Sequence, residues 1–295
     1  MINSDDLRLI SLLSQRRSIA AVSRDMHLTP SAISQRLSLL EQRLGHKLAQ
    51  RNGRSGIILT SDGEYLAERA GGVLSELTLI QDGINDRHDR VSGLVSLVAP
   101  MGFGRHHIAP LMGKLSKKYP NLDVHLRLSD DLSQIPEGSW DIAIRIAPPQ
   151  DSNFVAIPLA ENRRILCAAP DYLAEYGTPQ SPDEIAGHRC IAISEDGDKG
   201  SYWILFDKKA KQTTIRINPV LVCNDGQVAL DWAINGLGIV LRSEWNVLKA
   251  LKKGTLVELL PDWSAPQAPI VALCRERSAK SKRVTLVLNW LKDNL

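Results

Sequence analysis

Three features of this 295-residue chain predict an α/β fold preceded by a small, mostly helical head. From residue 91 onward, short apolar runs alternate with amphipathic stretches, the pattern of sheets covered by helices. Residues 61–84 keep one helical periodicity without a break. Before them lie short helical segments separated by capping and breaking residues. The length allows two or three domains, and 43% hydrophobic with 23% charged residues is ordinary globular composition.

The head begins with a helix carrying Leu7, Ile10 and Leu13 toward a small core. Residues 19–45 then read as two short helices joined by a tight turn. Thr29 is a favourable N-cap, Pro30 suits the first helical position, and Gly45 ends the second helix. Between these signals Ile33, Leu37, Leu40 and Leu44 form an apolar stripe. Ser31, Ser34, Gln35, Ser38 and Gln42 fall on a different face, short and uncharged. Such a face can enter a major groove and both donate to and accept from base edges. Downstream, HKLAQRNGRSGIILT places Gly53 and Gly56 at a turn before an apolar run, a β-hairpin wing with Arg51 and Arg54 toward phosphate or the minor groove.

Charge agrees with a nucleic-acid partner. Residues 1–60 hold nine Lys/Arg against four Asp/Glu, while the remaining 235 hold 27 against 29. A basic head on a slightly acidic body is the footprint of a chain that meets phosphates only at one end.

The next segment opens with a capping box, Ser61 with Glu64, or with Thr60 as the cap. Leu66, Ala70, Val73, Leu77, Ile80 and Ile84 step by four and three alternately, a heptad seam of about two and a half repeats that fits a dimer. Gly83, Asn85 and Gly93 place a hinge near 85–93. In the body, strands are expected at VSGLVSLVA, LDVHLRLS, WDIAIRIA, VAIPLA, RRILCAA, CIAIS, TIRINPVLV, GIVLR and PIVALCRE. Helices are expected from Gly104 to Tyr119, near 171–176, from Asp225 to Asn235, and at the C-terminus.

Several classes are disfavoured. The N-terminus lacks a basic region followed by an apolar run, so no signal peptide is expected, and the uncharged stretch 91–104 is too short to span a bilayer. Cys167, Cys190, Cys223 and Cys274 are far apart with no histidine at ligand spacing, which points to reduced thiols in the cytoplasm and to no metal or cofactor. There is no G-x-S-x-G, no P-loop and no G-x-G-x-x-G opening a lobe, so no enzyme is expected. Gly102 and Gly104 read as a tight turn, and Arg105-His106-His107 as surface.

Together these strings resemble the LysR-type transcriptional regulators over the full length. The resemblance rests on AAVSRDMHLTPSAISQRLSLLEQRLG, the following K-L-x-x-R-x-x-R, LTSDGEYL, GLVSLVAP, LDVHLRLSDDL, DIAIRIAPP, VAIPLAENRRILCAAPDYL and DWAINGLGIVLRSEW, in the family's order. The A-P-x-x-F-G turn at 99–104 is similar to that of one subgroup. The resemblance implies a winged helix-turn-helix at 1–60, a dimerising linker helix and hinge at 61–90, and a two-lobed effector domain at 91–295. Lobe I would hold about 91–164 and 268–295, lobe II about 165–267, with crossings near 161–168 and 265–271. The fold of that domain is that of type 2 periplasmic binding proteins. Double-stranded DNA, a small-molecule effector, further copies of the chain (dimer or tetramer) and RNA polymerase are the implied partners. The family pattern has glycine where Arg17 stands and often where His27 stands, has phenylalanine at Ala49, and has a wing one residue shorter.

Site expectations follow. Thr29, Pro30, Ser31, Ser34, Gln35 and Ser38 face the groove, with Ser34 and Gln35 the leading base contacts, while Arg36, Arg43, Arg51 and Arg54 anchor phosphates. The effector is expected between the lobes, where strand ends and helix N-termini converge. Met101, Gly102, Phe103 and Gly104 offer backbone N–H groups to an anion, Ser129 ends a strand, and Asn224 and Asp225 start a helix opposite. Arg145 interrupts the apolar end of a strand and could grip a carboxylate or pair with a nearby Asp. The alternatives are a DNA-binding domain fused to an enzyme and a DNA binder without a ligand.

Overall fold

The computed structural model describes residues 1–51, 56–86, 91–132, 135, 139–147, 154–194 and 202–295, and all counts refer to these. They form two compact units, Met1–Val91 with the described residues of 133–140, and Ser92–Leu132 with Asp141–Leu295.

The first unit runs α1 (Ser4–Arg16), α2 (Ile19–Asp25), α3 (Pro30–Leu44), β1 (Ala49–Arg51), β2 (Ile57–Leu59) and α4 (Ser61–Asp86). Asn3 caps α1 in a reciprocal box with Asp6, the two exchanging bonds of 2.9 and 3.0 Å. Ser18 and Thr29 cap α2 and α3, with Pro30 in the first turn of α3. Leu9, Ile10, Leu13, Val22, Ile33 and Leu40 are fully shielded from solvent and form the core. Arg17 and His27, where the family pattern favours glycine, sit in the left-handed region at φ 50° and 54°. A side chain there is strained.

Thr60, not Ser61, caps α4, because its hydroxyl accepts from the Gly63 N–H at 3.1 Å. The helix then packs on α1, and the expected seam divides. Ala70 is fully buried in the head's core and Leu66 lies against the same cluster, so both serve that core rather than an outer seam. Val73, Leu77, Ile80 and Ile84 stay between 41% and 57% exposed.

The second unit holds two five-stranded sheets built alike. The first comprises β3 (Gly93–Ala99), β4 (Leu122–Leu128), β5 (Ile142–Ile146), β6 (Phe154–Ala160) and β14 (Ile270–Arg275), in the order β4-β3-β5-β14-β6. The second comprises β7 (Arg164–Ala168), β8 (Cys190–Ile193), β11 (Pro219–Cys223), β12 (Ile239–Ser243) and β13 (Val257–Glu258), in the order β11-β8-β12-β7-β13. In each, the strand next to one edge lies parallel to its two neighbours (β3 to β4 and β5, β8 to β11 and β12). The antiparallel strands β14 and β7 are those that enter a sheet after the chain has crossed from the other lobe. The first crossing is 161–163, shorter than expected, since Arg164 already pairs with Ser243 in the second sheet. Asn162 on it donates to the Ala268 carbonyl at 2.8 Å and so ties the two crossings together.

Covering elements are α5 (Met101–Phe103), a π turn (Gly104–Ile108), α6 (Ala109–Lys118), α7 (Pro170–Tyr176), a 3-10 turn (Pro182–Gly187), α8 (Gly226–Ile234), α9 (Glu244–Lys253), α10 (Glu276–Ala279) and α11 (Lys282–Asn294). The first of these starts at Met101 rather than near Gly104, with extended Pro100 at its N-cap. Gly104 lies so close to Leu128 and Ala99 that a Cβ would collide with both.

The expected strand TIRINPVLV is two strands. Its first half, β10 (Gln212–Arg216), forms an antiparallel hairpin with β9 (Tyr202–Phe206), and its second half is β11 in another sheet. Pro219 lacks the N–H a continuous ladder needs, and β11 is an edge strand, where proline is tolerated. No helix among the described residues is long and apolar enough to cross a membrane.

Candidate nucleic-acid interface and effector cleft

On α3 the amphipathic division is as the spacing requires. Ile33, Leu37 and Leu40 are buried, while Pro30, Ser31, Gln35 and Ser38 are exposed and Ser34 is half-buried. The Thr29 hydroxyl accepts from the Ala32 N–H at 3.3 Å and lies 3.0 Å from that of Ser31, so its first task is capping. Arg36 and Arg43 are one heptad apart, and both reach back to the α1 segment. Arg36 reaches Asp5 at 3.4 Å. Arg43 pairs with buried Asp6 at 2.8 Å and donates to the Met1 carbonyl at 2.9 Å. Both link α1 to α3, and with side chains 42% and 39% exposed both also stay open to solvent.

The wing is fixed by a residue the motif analysis passed over. Glu41, on the inner face of α3, is 6% exposed. Its Oε1 accepts from the Leu48 and Ala49 N–H groups at 2.9 and 3.2 Å, and its Oε2 from the Lys47 ammonium at 2.7 Å. Burial pushes its carboxyl up, but the Lys47 hydrogen bond and the two amides outweigh this and hold it below the ordinary range. A carboxylate on the buried stripe of a helix, just before the breaker Gly45, was the available signal. Arg51 ends β1, and its side chain, like all of Arg54, lies outside the described residues.

In the second unit a cavity of about 460 Å³ opens between the lobes, at the C-terminal ends of the parallel strands. Ligands of open α/β sheets gather there because free helix N-termini and loop side chains converge. Of the expected residues, Gly102, Phe103, Ser129, Arg145 and Asn224 line it, whereas Met101, Gly104 and Asp225 do not. Each of those three has another task. The Met101 N–H is taken by the Asp130 carboxylate at 2.9 Å, so the protein's own anion occupies part of that helix start. Asp225 caps α8, accepting from the Gln227 and Val228 N–H groups at 2.7 and 3.0 Å. Gly104 provides the close approach to β4.

The cleft also contains Asp130, Arg164, Tyr202, Trp203, Arg242 and Trp245, which sequence reasoning missed. Arg242 breaks the apolar run IVLRS as Arg145 breaks IAIRI, so the same signal could have found it. Its Nε donates to Asn246 at 3.0 Å, and its guanidinium passes so close to Gly226 that a Cβ there would collide with it. Arg145 and Arg164 have no carboxylate partner among the described residues. Burial pushes the Asp130 carboxyl up, against the Met101 hydrogen bond; Asp225 raises it further and Arg242 opposes. Among the described residues the cleft is polar, with three arginines and one acid whose ionisation burial disfavours.

At one end, Phe103, His107 and Trp245 form an aromatic triple across the lobes, with centroids 4.8 to 5.4 Å apart. Burial pushes the His107 imidazole down, and neighbouring His106 adds to this. Cys167, Cys190 and Cys274 are buried thiols, pushed up to about 12 by desolvation. No group of three metal-ligating side chains occurs among the described residues.

Comparison with known proteins names this arrangement. Residues 4–64 match "Bacterial regulatory helix-turn-helix protein, lysR family", and residues 88–295 match "LysR substrate binding domain". The chain belongs to the LysR family. HTH-type transcriptional activator TtdR of Escherichia coli (strain K12) is 34% identical over 295 residues, covering 99% of this chain and 94% of that protein. The structure of CrgA, a LysR-type transcriptional regulator from Neisseria meningitidis, superposes with a TM-score of 0.60 at 28% identity over 99% of both chains. The full-length Vibrio cholerae virulence activator AphB shares the fold, with a TM-score of 0.67 at 24% identity over both whole chains. As a LysR family member this chain is a DNA-binding transcriptional regulator controlled by a small-molecule effector. The α2–α3 pair is its helix-turn-helix, and the two-lobed unit is its substrate-binding domain.

Proposed function

We propose that the effector is an organic anion bound in the interlobe cleft, and that residues 1–60 read DNA, 61–90 dimerise and hinge, and 91–295 sense the ligand in the cytoplasm. The observation that carries the effector class is the set of three guanidinium groups, Arg145, Arg164 and Arg242, converging on one cavity where Asp130 is the one acid among the described lining residues. Arginine grips carboxylates bidentately and stays charged at all working pH values. Ser31, Ser34, Gln35 and Ser38 are the base-reading side chains, since they combine the short polar chemistry of a groove contact with an outward position on α3. Val73, Leu77, Ile80 and Ile84 form the dimer seam, because a stripe of exposed apolar side chains is stable in water only when covered.

Control is linkage: a ligand that prefers one lobe arrangement shifts the oligomer and the spacing of its DNA heads. Titrating carboxylate metabolites into wild type and Arg145→Ala by calorimetry tests the effector class. Saturable binding that weakens at least tenfold in the variant is expected; equal binding by both overturns the assignment. In gel shifts, Gln35→Ala relaxes discrimination between operator and unrelated DNA. Arg51→Ala weakens both and flattens the salt dependence. Unchanged discrimination in Gln35→Ala would misplace the reading face, and ligands recovered chemically unaltered separate this reading from a fused enzyme.

A further inference from the structure

Behind the aromatic triple lies a second cavity, of about 520 Å³, which the effector reading leaves without a task. It shares only Trp245 and Gln227 with the arginine cleft. Two helices and one turn build it, each with a sequence reason. Along α9, Trp245, Lys249 and Lys253 recur every fourth residue and so project from one stripe, aromatic at one end and cationic along the rest. Along α8, Leu230 and Ile234 present an apolar stripe to the same space. The π turn of the first lobe closes it with His106 and His107.

The lining therefore combines an apolar floor with two ammonium groups and two imidazoles, and among the described residues it contains no Asp or Glu. A purely apolar cavity would suit a neutral hydrophobe, and a purely basic surface would suit phosphate or water. This combination suits neither. The indole Nε1 of Trp245 is shielded from solvent and has no acceptor among the described residues, so a donor stands unused in the wall both cavities share.

We infer that this cavity is a second ligand site, for an amphipathic organic anion with a flat apolar body and one carboxylate. The body lies on Leu230, Ile234 and the Trp245 ring, and the carboxylate meets Lys249 and Lys253. Because the two histidines belong to the first lobe and the lysines to the second, the occupant bridges the lobes independently of whatever fills the arginine cleft.

The test titrates 2-naphthoate into the full-length protein by calorimetry, with 2-naphthamide as the uncharged probe of the same shape. Lys249→Gln/Lys253→Gln and Lys249→Glu/Lys253→Glu change exposed positions, and circular dichroism checks that both fold. Wild type should bind the carboxylate at least tenfold more tightly than the amide. Binding should weaken about tenfold in the glutamine pair, more in the glutamate pair, and stay unchanged in Arg145→Ala. Three results overturn the site: equal binding of acid and amide, loss of binding in Arg145→Ala but not in the lysine variants, or no binding by wild type. A fourth also does: a change of oligomeric mass in the lysine variants, by light scattering, without a change in probe affinity. That would mean a second copy of the chain covers the cavity.

Discussion

Replacing Glu41 by alanine removes the only side chain that holds the start of the wing to α3 through backbone amides among the described contacts. The Leu48 N–H is buried and bonded at 2.9 Å, and the Ala49 N–H is half-buried at 3.2 Å. A hydrogen bond to a charged acceptor contributes about 1.5–3 kcal/mol, and orphaning a buried donor costs about as much as losing it. The less buried Ala49 bond counts at the low end. The Lys47 pair adds little, because Lys47 is 78% exposed and water screens it. Glu41→Ala should therefore destabilise the head by about 3 kcal/mol. For a domain of this size that lowers its melting temperature by roughly 12–24 °C. Glu41→Gln keeps an acceptor without the charge and should lose about 1 kcal/mol. Urea denaturation followed by circular dichroism measures the loss, and hydrogen exchange at the Leu48 amide localises it. If Glu41→Ala unfolds within 0.5 kcal/mol of wild type, an ordinary surface effect, and the Leu48 amide stays protected, the carboxylate does not anchor the wing. The pH dependence gives an independent sign. The folded carboxyl lies below its ordinary value, so its contribution is complete above the unfolded value near 4.5 and is lost as pH falls through the folded one. Glu41→Gln should flatten that acid slope.

Arg17→Gly and His27→Gly each relieve a left-handed backbone at φ 50° or 54° and should raise stability by roughly 0.5–1 kcal/mol in the same denaturation assay; no gain would mean the strain is absorbed elsewhere. Leu77→Glu should reduce the oligomeric mass seen by light scattering while leaving thermal unfolding of the head nearly unchanged, because Leu77 is 41% exposed. Ala70→Leu should do the reverse, overpacking the head's core at a cost of about 1–3 kcal/mol without entering the seam. Asp130→Asn removes the one acid among the described lining residues of the arginine cleft yet keeps an oxygen for the Met101 N–H, so anion affinity measured by calorimetry should rise about threefold to tenfold; weaker binding would assign Asp130 to the ligand itself.

The linear order of residues carried everything that depends on neighbours within a turn or two. Thr29, Pro30 and Gly45 bound α3 because caps and breakers act locally, and the period of Ile33, Leu37 and Leu40 dictated its buried side. Arg145 stood out because a charge inside an apolar strand end is anomalous in a short window. The α4 stripe was legible as a period but not as a set of partners. Ala70 and Val73 look alike in a heptad, and only the packing of α1 against the first turns of α4 separates them. Glu41 and Asp130 belong to the same category, since their partners come from other elements, the wing and the start of α5. TIRINPVLV read as one strand because β propensity extends across it, although the sheets that claim its two halves differ. Periodicity reports which side of an element is dry. Which neighbour keeps it dry, and which charge finds a counter-charge, depends on contacts between residues distant in the chain, and these exist only once the chain has folded.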